Sequence, residues 1–232
     1  MRVRPVALAW SGGKDSSLAL EALQSDPTVE VVALVTTLTR EFDRISMHGV
    51  RRTVLEAQVS ALGLPLVEAT IPAAATNVIY EEAFAQALDT LRRQHSEVCH
   101  LAFGDLFLTD VRAYRERLLS ALGWSPLFPL WERDTAELAA YFVAAGYRAL
   151  LTCIDTTQLP AEFAGREFDS RLLADLPAGV DPCGERGEFH TCVYAGPIFP
   201  QAIAVEPGDR VRRDGRFEYC DVTLRSTGGS AA

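Results

Sequence analysis

The sequence predicts an α/β fold, a doubly wound parallel sheet followed by a second, smaller α/β domain. Two observations carry the first half of that prediction. Short, continuously apolar runs such as VALAW (6–10) and EVVALVTTL (30–38) alternate with longer stretches of helical spacing. Strands that are apolar on both faces belong in a parallel sheet covered by helices on each side. A third observation marks the second half. After residue 125 the pattern becomes proline-interrupted and loop-rich, which places a boundary near 125–130.

The elements follow in order. Residues 6–10 read as a buried strand, 16–24 as a helix and 30–38 as a second strand. Helical spacing through Val50, Val54, Ala57 and Ala61 predicts a helix over 49–62, ended by Gly63. A strand over 64–71, a helix over 77–94 and a strand over 98–103 come next. Gly104-Asp105 stops that strand, and a helix runs over 109–122. In the second half Asp134 with Glu137 three residues on forms a capping box, 148–154 reads as a strand, and TCVYA (191–195) is strand-like. The expected organisation is a first domain over 1–127, a second, smaller domain over 128–225 and a flexible tail over 226–232.

Bulk properties bound the function. A formal net charge of −9 over 232 residues argues against a broad nucleic-acid-binding face. The five cysteines are odd in number and contain no C-x-x-C pair, which disfavours both a disulfide scaffold and a zinc site. The chain shows no signal-peptide core and no run long enough for a membrane span, so a soluble, cytoplasmic protein is expected. A homo-oligomer is left open.

The chemistry concentrates in AWSGGKDSSLAL, where a strand runs through a glycine turn into a leucine-rich helix. Glycines there let several backbone N–H groups converge on one point, and the helix N-terminus adds to that anion site. The spacing is not the Walker pattern G-x-x-x-x-G-K-[ST]. Ser11, Gly12, Gly13 and Ser16 supply donors, and Lys14 a positive charge for phosphates. Asp15 in a phosphate loop calls for a cation between carboxylate and phosphate, which points to Mg²⁺.

SGGKDS resembles the pyrophosphate loop of the ATP pyrophosphatase superfamily, whose members cleave ATP between its α and β phosphates. Five further stretches narrow the likeness: MHGVRR (47–52), AFGDLFLTDVRAYRERLLSALG (102–123), PLWERD (129–134), AGREFD (164–169) and GVDPCGERGEFHTCVYAGPIF (179–199). In this order they resemble the diphthine–ammonia ligase family. The resemblance implies a HUP-type nucleotide-binding domain, a smaller family-specific domain, and ATP and Mg²⁺ as cofactors. It implies an AMP- and pyrophosphate-forming reaction in which an acceptor carboxylate is adenylated and free ammonium supplies the amide nitrogen. The acceptor is diphthine on elongation factor 2 or a small molecule.

On that reading Thr36, His48 and Gly104 contact the nucleotide, and Asp105 meets Mg²⁺ or the acceptor. Glu185, Glu188 and His190 position ammonium or the acceptor and take a proton from the attacking amine. Asp110, Arg112 and Arg115 read as a helix-dipole residue and a solvated face. One departure stands out. Where the diphthamide-making members carry an EGGEYET-type stretch, this chain reads ERGEFHT, with Arg186 and His190 changed and Glu185 and Glu188 kept. The same chemistry on another small carboxylate is therefore one alternative; tRNA thiolation and a non-catalytic ATP sensor are the others.

Overall fold

The computed structural model describes residues 3–225, so the expected tail over 226–232 lies outside the described residues. Five parallel strands build the first sheet: β1 (Arg4–Ala9), β2 (Val29–Thr39), β4 (Leu66–Ile71), β5 (His100–Ala102) and β6 (Ser125–Leu127). A two-residue strand, β3 (Arg44–Ile45), pairs antiparallel with the far end of β2. The parallel strands lie in the order β4-β2-β1-β5-β6. The chain thus winds outward from β1 in one direction and then returns to β5 on its other side. That reversal makes the β1/β5 boundary the topological switch point.

Alternation along β1 shows why the sheet is wound on both faces. Val6 and Leu8 face one core with α1 (Lys14–Gln24) and α2 (Arg52–Leu62). Ala7 faces a second core with α3 (Asn77–Gln94) and α4 (Thr109–Ala121). Boundaries expected from periodicity agree closely; the helix over 77–94 matches residue for residue. The helix expected from 49 begins only at Arg52, because Gly49 is left-handed at φ 70° and belongs to the turn after β3.

The second half holds an antiparallel sheet in the order β8-β7-β10-β9. Its strands are β7 (Arg148–Asp155), β8 (Phe189–Ala195), β9 (Val205–Arg213) and β10 (Phe217–Leu224). Two helices flank it, α5 (Thr135–Ala144) and α6 (Ser170–Asp175). Asp134 caps α5 through a 2.9 Å bond from the Glu137 amide, the capping expected from the sequence. The antiparallel sheet does not stand apart from the parallel one. A single apolar cluster runs from Leu8, Trp10 and Leu20 through Leu138 and Phe142 to Leu151, Val193 and Val222.

Candidate active site

The SGGKDS turn leaves β1 at Trp10 and enters α1 at Lys14. Gly12 sits at φ 71°, a conformation that L side chains rarely adopt, and a Cβ there would lie 2.5 Å from Gln58 Oε1. Gln58, on α2 and fully buried, fixes the turn. Its Nε2 donates to the carbonyls of Gly12 (3.0 Å) and Val193 (2.7 Å), and its Oε1 accepts from Trp10 Nε1 at 3.2 Å. The Val193 amide also donates to the Gly12 carbonyl at 2.8 Å. Strand β8 of the second sheet is therefore bonded directly to the turn. A second joint forms where the Lys14 amide donates to Thr191 Oγ1 at 3.0 Å.

Gly104, at the end of β5, packs against the same turn. A Cβ there would come within 2.7 Å of the Asp15 carbonyl carbon, so only glycine lets the two strand ends approach this closely. The two glycine-bearing ends meet at the switch point, the position where open α/β sheets take their ligands. A cleft of about 1200 Å³ opens there, lined from both halves of the chain.

Most residues expected to act together do line that cleft. Ser11, Lys14, Asp15, Ser16, Thr36, His48, Gly104, Asp105, Glu185 and His190 all border it. Lys14 is only 2% exposed, with Nζ 2.6 and 2.8 Å from the Asp15 carboxylate oxygens. Burial opposes a charge on Lys14, but the Asp15 carboxylate beside it holds the ammonium pKa above its ordinary value. Thr36 Oγ1 and His48 Nδ1 are buried without a hydrogen-bond partner. Buried polar atoms of this kind are costly unless a ligand satisfies them.

Glu185 reaches the cleft from the loop before β8. Its Oε1 accepts from the Leu106 amide at 2.8 Å, which ties that loop to the segment after β5. Burial pushes its carboxyl up to about 7, against the opposing bond from Leu106. A carboxyl in that range exchanges protons near neutrality, as a general base requires. His190 and His48 lie side by side with ring centroids 4.4 Å apart and planes tilted by 36°. Burial lowers the His190 pKa to about 4 and holds His48 well below its ordinary value, so both rings are neutral at pH 7.

Two residues sit differently from the sequence reading. Glu188 is 1% exposed and does not border the cleft; its carboxylate accepts from the Asp181 and Arg186 amides, each at 2.9 Å. It shapes the loop that presents Glu185. Arg115, read as a solvated face, instead borders the cleft, pairing through two bonds with Asp105 and lying 4.2 Å from the Phe103 ring centroid. Asp105 is accordingly a partner of Arg115. The stretch from Glu185 to Thr191 packs inward, with Glu188, Phe189 and Thr191 buried.

Asp15 presents the only carboxylate of the loop to the cleft, and no group of three or more His, Cys, Asp or Glu side chains suited to a metal occurs among the described residues. That donor set fits a Mg²⁺ ion that takes one carboxylate from protein and the rest from phosphate oxygens and water. It does not fit a closed all-protein cage.

Fold and site together define a Rossmann-like nucleotide-binding α/β protein with a smaller antiparallel sheet closing one side of its cleft. Residues 3–126 match the family model described as the diphthamide synthase N-terminal domain, and residues 134–224 match that of the diphthamide synthase C-terminal domain. The chain belongs to the diphthamide synthase family. It is similar to proteins named diphthine–ammonia ligase. The Danio rerio protein is 25% identical over 219 residues, covering 87% of this chain and 86% of the relative. The Homo sapiens protein is 24% identical over 225 residues, covering 89% and 84%. The Schizosaccharomyces pombe protein is 26% identical over 212 residues, and the chain spans only 35% of its length.

Proposed function

We propose that the cleft binds ATP with its phosphates on the SGGKDS turn and joins ammonia to an acceptor carboxylate through an adenylate. The observation that carries this reading is the meeting, in one cleft, of a glycine phosphate turn at the switch point and Glu185 from the second half. On this reading the chain is an ATP-dependent amide-forming ligase. Residues 1–127 supply the nucleotide side, and residues 128–225 the acceptor side. Diphthine on elongation factor 2 is the first acceptor to try, because the relatives are named for it.

In the first step an acceptor carboxylate oxygen bonds to the α phosphorus, and the α–β bridge bond breaks to release pyrophosphate. Lys14 and the turn's amides hold the departing charge, in place before the reaction begins. Asp15 would hold Mg²⁺, which when bound supplies further neutralisation of the phosphates. In the second step ammonia attacks the acyl carbon, AMP leaves, and Glu185 takes the surplus proton from the amine. Thr36 and His48 offer unpartnered polar atoms to the nucleotide. The absence of any long apolar helix among the described residues and five free thiols support a cytoplasmic setting.

A second acceptor reading, another small carboxylate, is favoured by one observation. His190 and Arg186 stand where the EGGEYET-type stretch has other residues, and His190 borders the cleft. The test for the chemistry is to follow ATP labelled at the α phosphate with Mg²⁺, ammonium and an acceptor. AMP and pyrophosphate made only with acceptor present are expected. ADP and phosphate in their place would refute adenylation.

A further inference from the structure

The two histidines of the cleft do something that neither a lone ring nor the family-type glutamate would do. His48 comes from the turn after β3 and His190 from β8, so opposite halves of the chain supply one imidazole pair at 4.4 Å. The pair is placed on the phosphate turn itself. A Cβ on Gly13 would lie 3.2 Å from His48 Cε1 and 3.0 Å from the carbonyl oxygen of Thr191, whose hydroxyl accepts from the Lys14 amide. One of the His48 ring nitrogens, Nδ1, is buried without a hydrogen-bond partner.

We propose that the His48–His190 pair takes up a proton when an oligophosphate occupies the turn, and so becomes a second cationic contact beside Lys14. The inference rests on the turn being a phosphate site. Its physical basis is a reversal of field. Burial is the main cause that keeps both rings neutral, and Lys14 is the charged neighbour that acts on both in the same direction. An oligophosphate brings several negative charges to the same place, outweighs Lys14, and makes the imidazolium favourable. The other titratable groups bordering the cleft are Asp15, Tyr80, Asp105 paired with Arg115, Glu185, Tyr219 and Cys220, with Asp209, Arg213 and Asp214 on the β9–β10 side. On the β3 side, Arg44 and Arg51 are already paired with Asp221. At 4.4 Å, mutual repulsion limits the two rings to a single shared proton, so the pair titrates as a unit. The proton comes from solvent and returns there when the phosphate leaves.

The test uses inorganic pyrophosphate as the probe and NMR of the ring Cε1–H signals. The chain has four histidines, so His95 and His100 serve as internal controls. With saturating pyrophosphate, the midpoint of the pair should rise by about two units or more while His95 and His100 stay put. Pyrophosphate affinity, followed by calorimetry, should strengthen as pH falls, approaching tenfold per unit. His190→Asn should flatten that slope relative to wild type. Binding of pyrophosphate with no shift in the pair would overturn this inference and leave the phosphate turn intact. Failure of pyrophosphate to bind at all would overturn the turn's assignment and this inference with it.

Discussion

Gln58→Leu should loosen the phosphate turn from behind, since Gln58 itself does not border the cleft. Gln58 is 0% exposed and makes four polar contacts, to Trp10 Nε1, the Gly12 carbonyl, the Val193 carbonyl and, more distantly, Cys192 Sγ. Leucine nearly fills the space but offers no partner. The Gly12 carbonyl keeps the bond from the Val193 amide, so two groups, Trp10 Nε1 and the Val193 carbonyl, lose the partner that Gln58 provided. Each buried orphan costs roughly 1–3 kcal/mol, which sums to about 2–6 kcal/mol. Urea denaturation should report that loss through a lower midpoint at unchanged slope. Pyrophosphate affinity should fall as well, because Gly12 no longer has its conformation fixed from two sides. A loss under 1 kcal/mol, with affinity intact, would refute the claim that this glutamine joins turn and second sheet.

Gly104→Ala should abolish pyrophosphate binding in calorimetry, because its Cβ would meet backbone atoms of Asp15 and Ser16 at 2.7–3.0 Å; normal binding would show that the two strand ends have room to part. Glu185→Gln should remove the rise in acceptor-dependent turnover that wild type shows as pH increases through about 7, where the carboxylate form becomes populated. The same raised pKa makes Glu185's contribution to stability fall away as pH climbs from its unfolded value near 4.3 through 7, which urea titrations of the pair would detect. Burial opposes ionisation of Asp221, yet Arg51 and Arg44 hold its carboxyl down at about 2. Its contribution, about 2 kcal/mol for a side chain 16% exposed, is present above pH 4 and lost as pH falls toward 2. Asp221→Asn should remove that component from acid-denaturation curves.

How much was legible depended on whether a signal was local. The helix over 77–94 has an apolar stripe, a Thr76 cap and no internal glycine, so sequence and structure agree along its whole length. The glycine turn was legible because SGGKDS compresses its chemistry into six residues. Gln58 was not, since a glutamine on an amphipathic helix ordinarily faces water, and only β8 arriving from 135 residues away buries it. Arg115 was missed for a related reason, as its role depends on Asp105 at a strand end and on the Phe103 ring. Strands β9 and β10 gave little warning. All but the first residue of β9 is exposed, so it lacks the buried alternation that marks a half-buried strand. Strand β6 carries a proline, which its edge position tolerates.

The bonding of β8 to the phosphate turn bears on how this cleft works as a machine. Enzymes that close over nucleotides often swing one lobe about a few flexible residues. Here the wall opposite the turn is fastened to it by Val193, Gln58 and Thr191, and the apolar interior continues from one sheet into the other. Among the described residues, parting the two sheets at the turn would break these buried polar bonds. Traffic through the cleft then falls to its rim, to the β3 turn with exposed Phe42 and Met47 and to the β9–β10 hairpin facing it. Changes at that rim would alter how fast ligands come and go, while the chemistry inside stays on a rigid anvil.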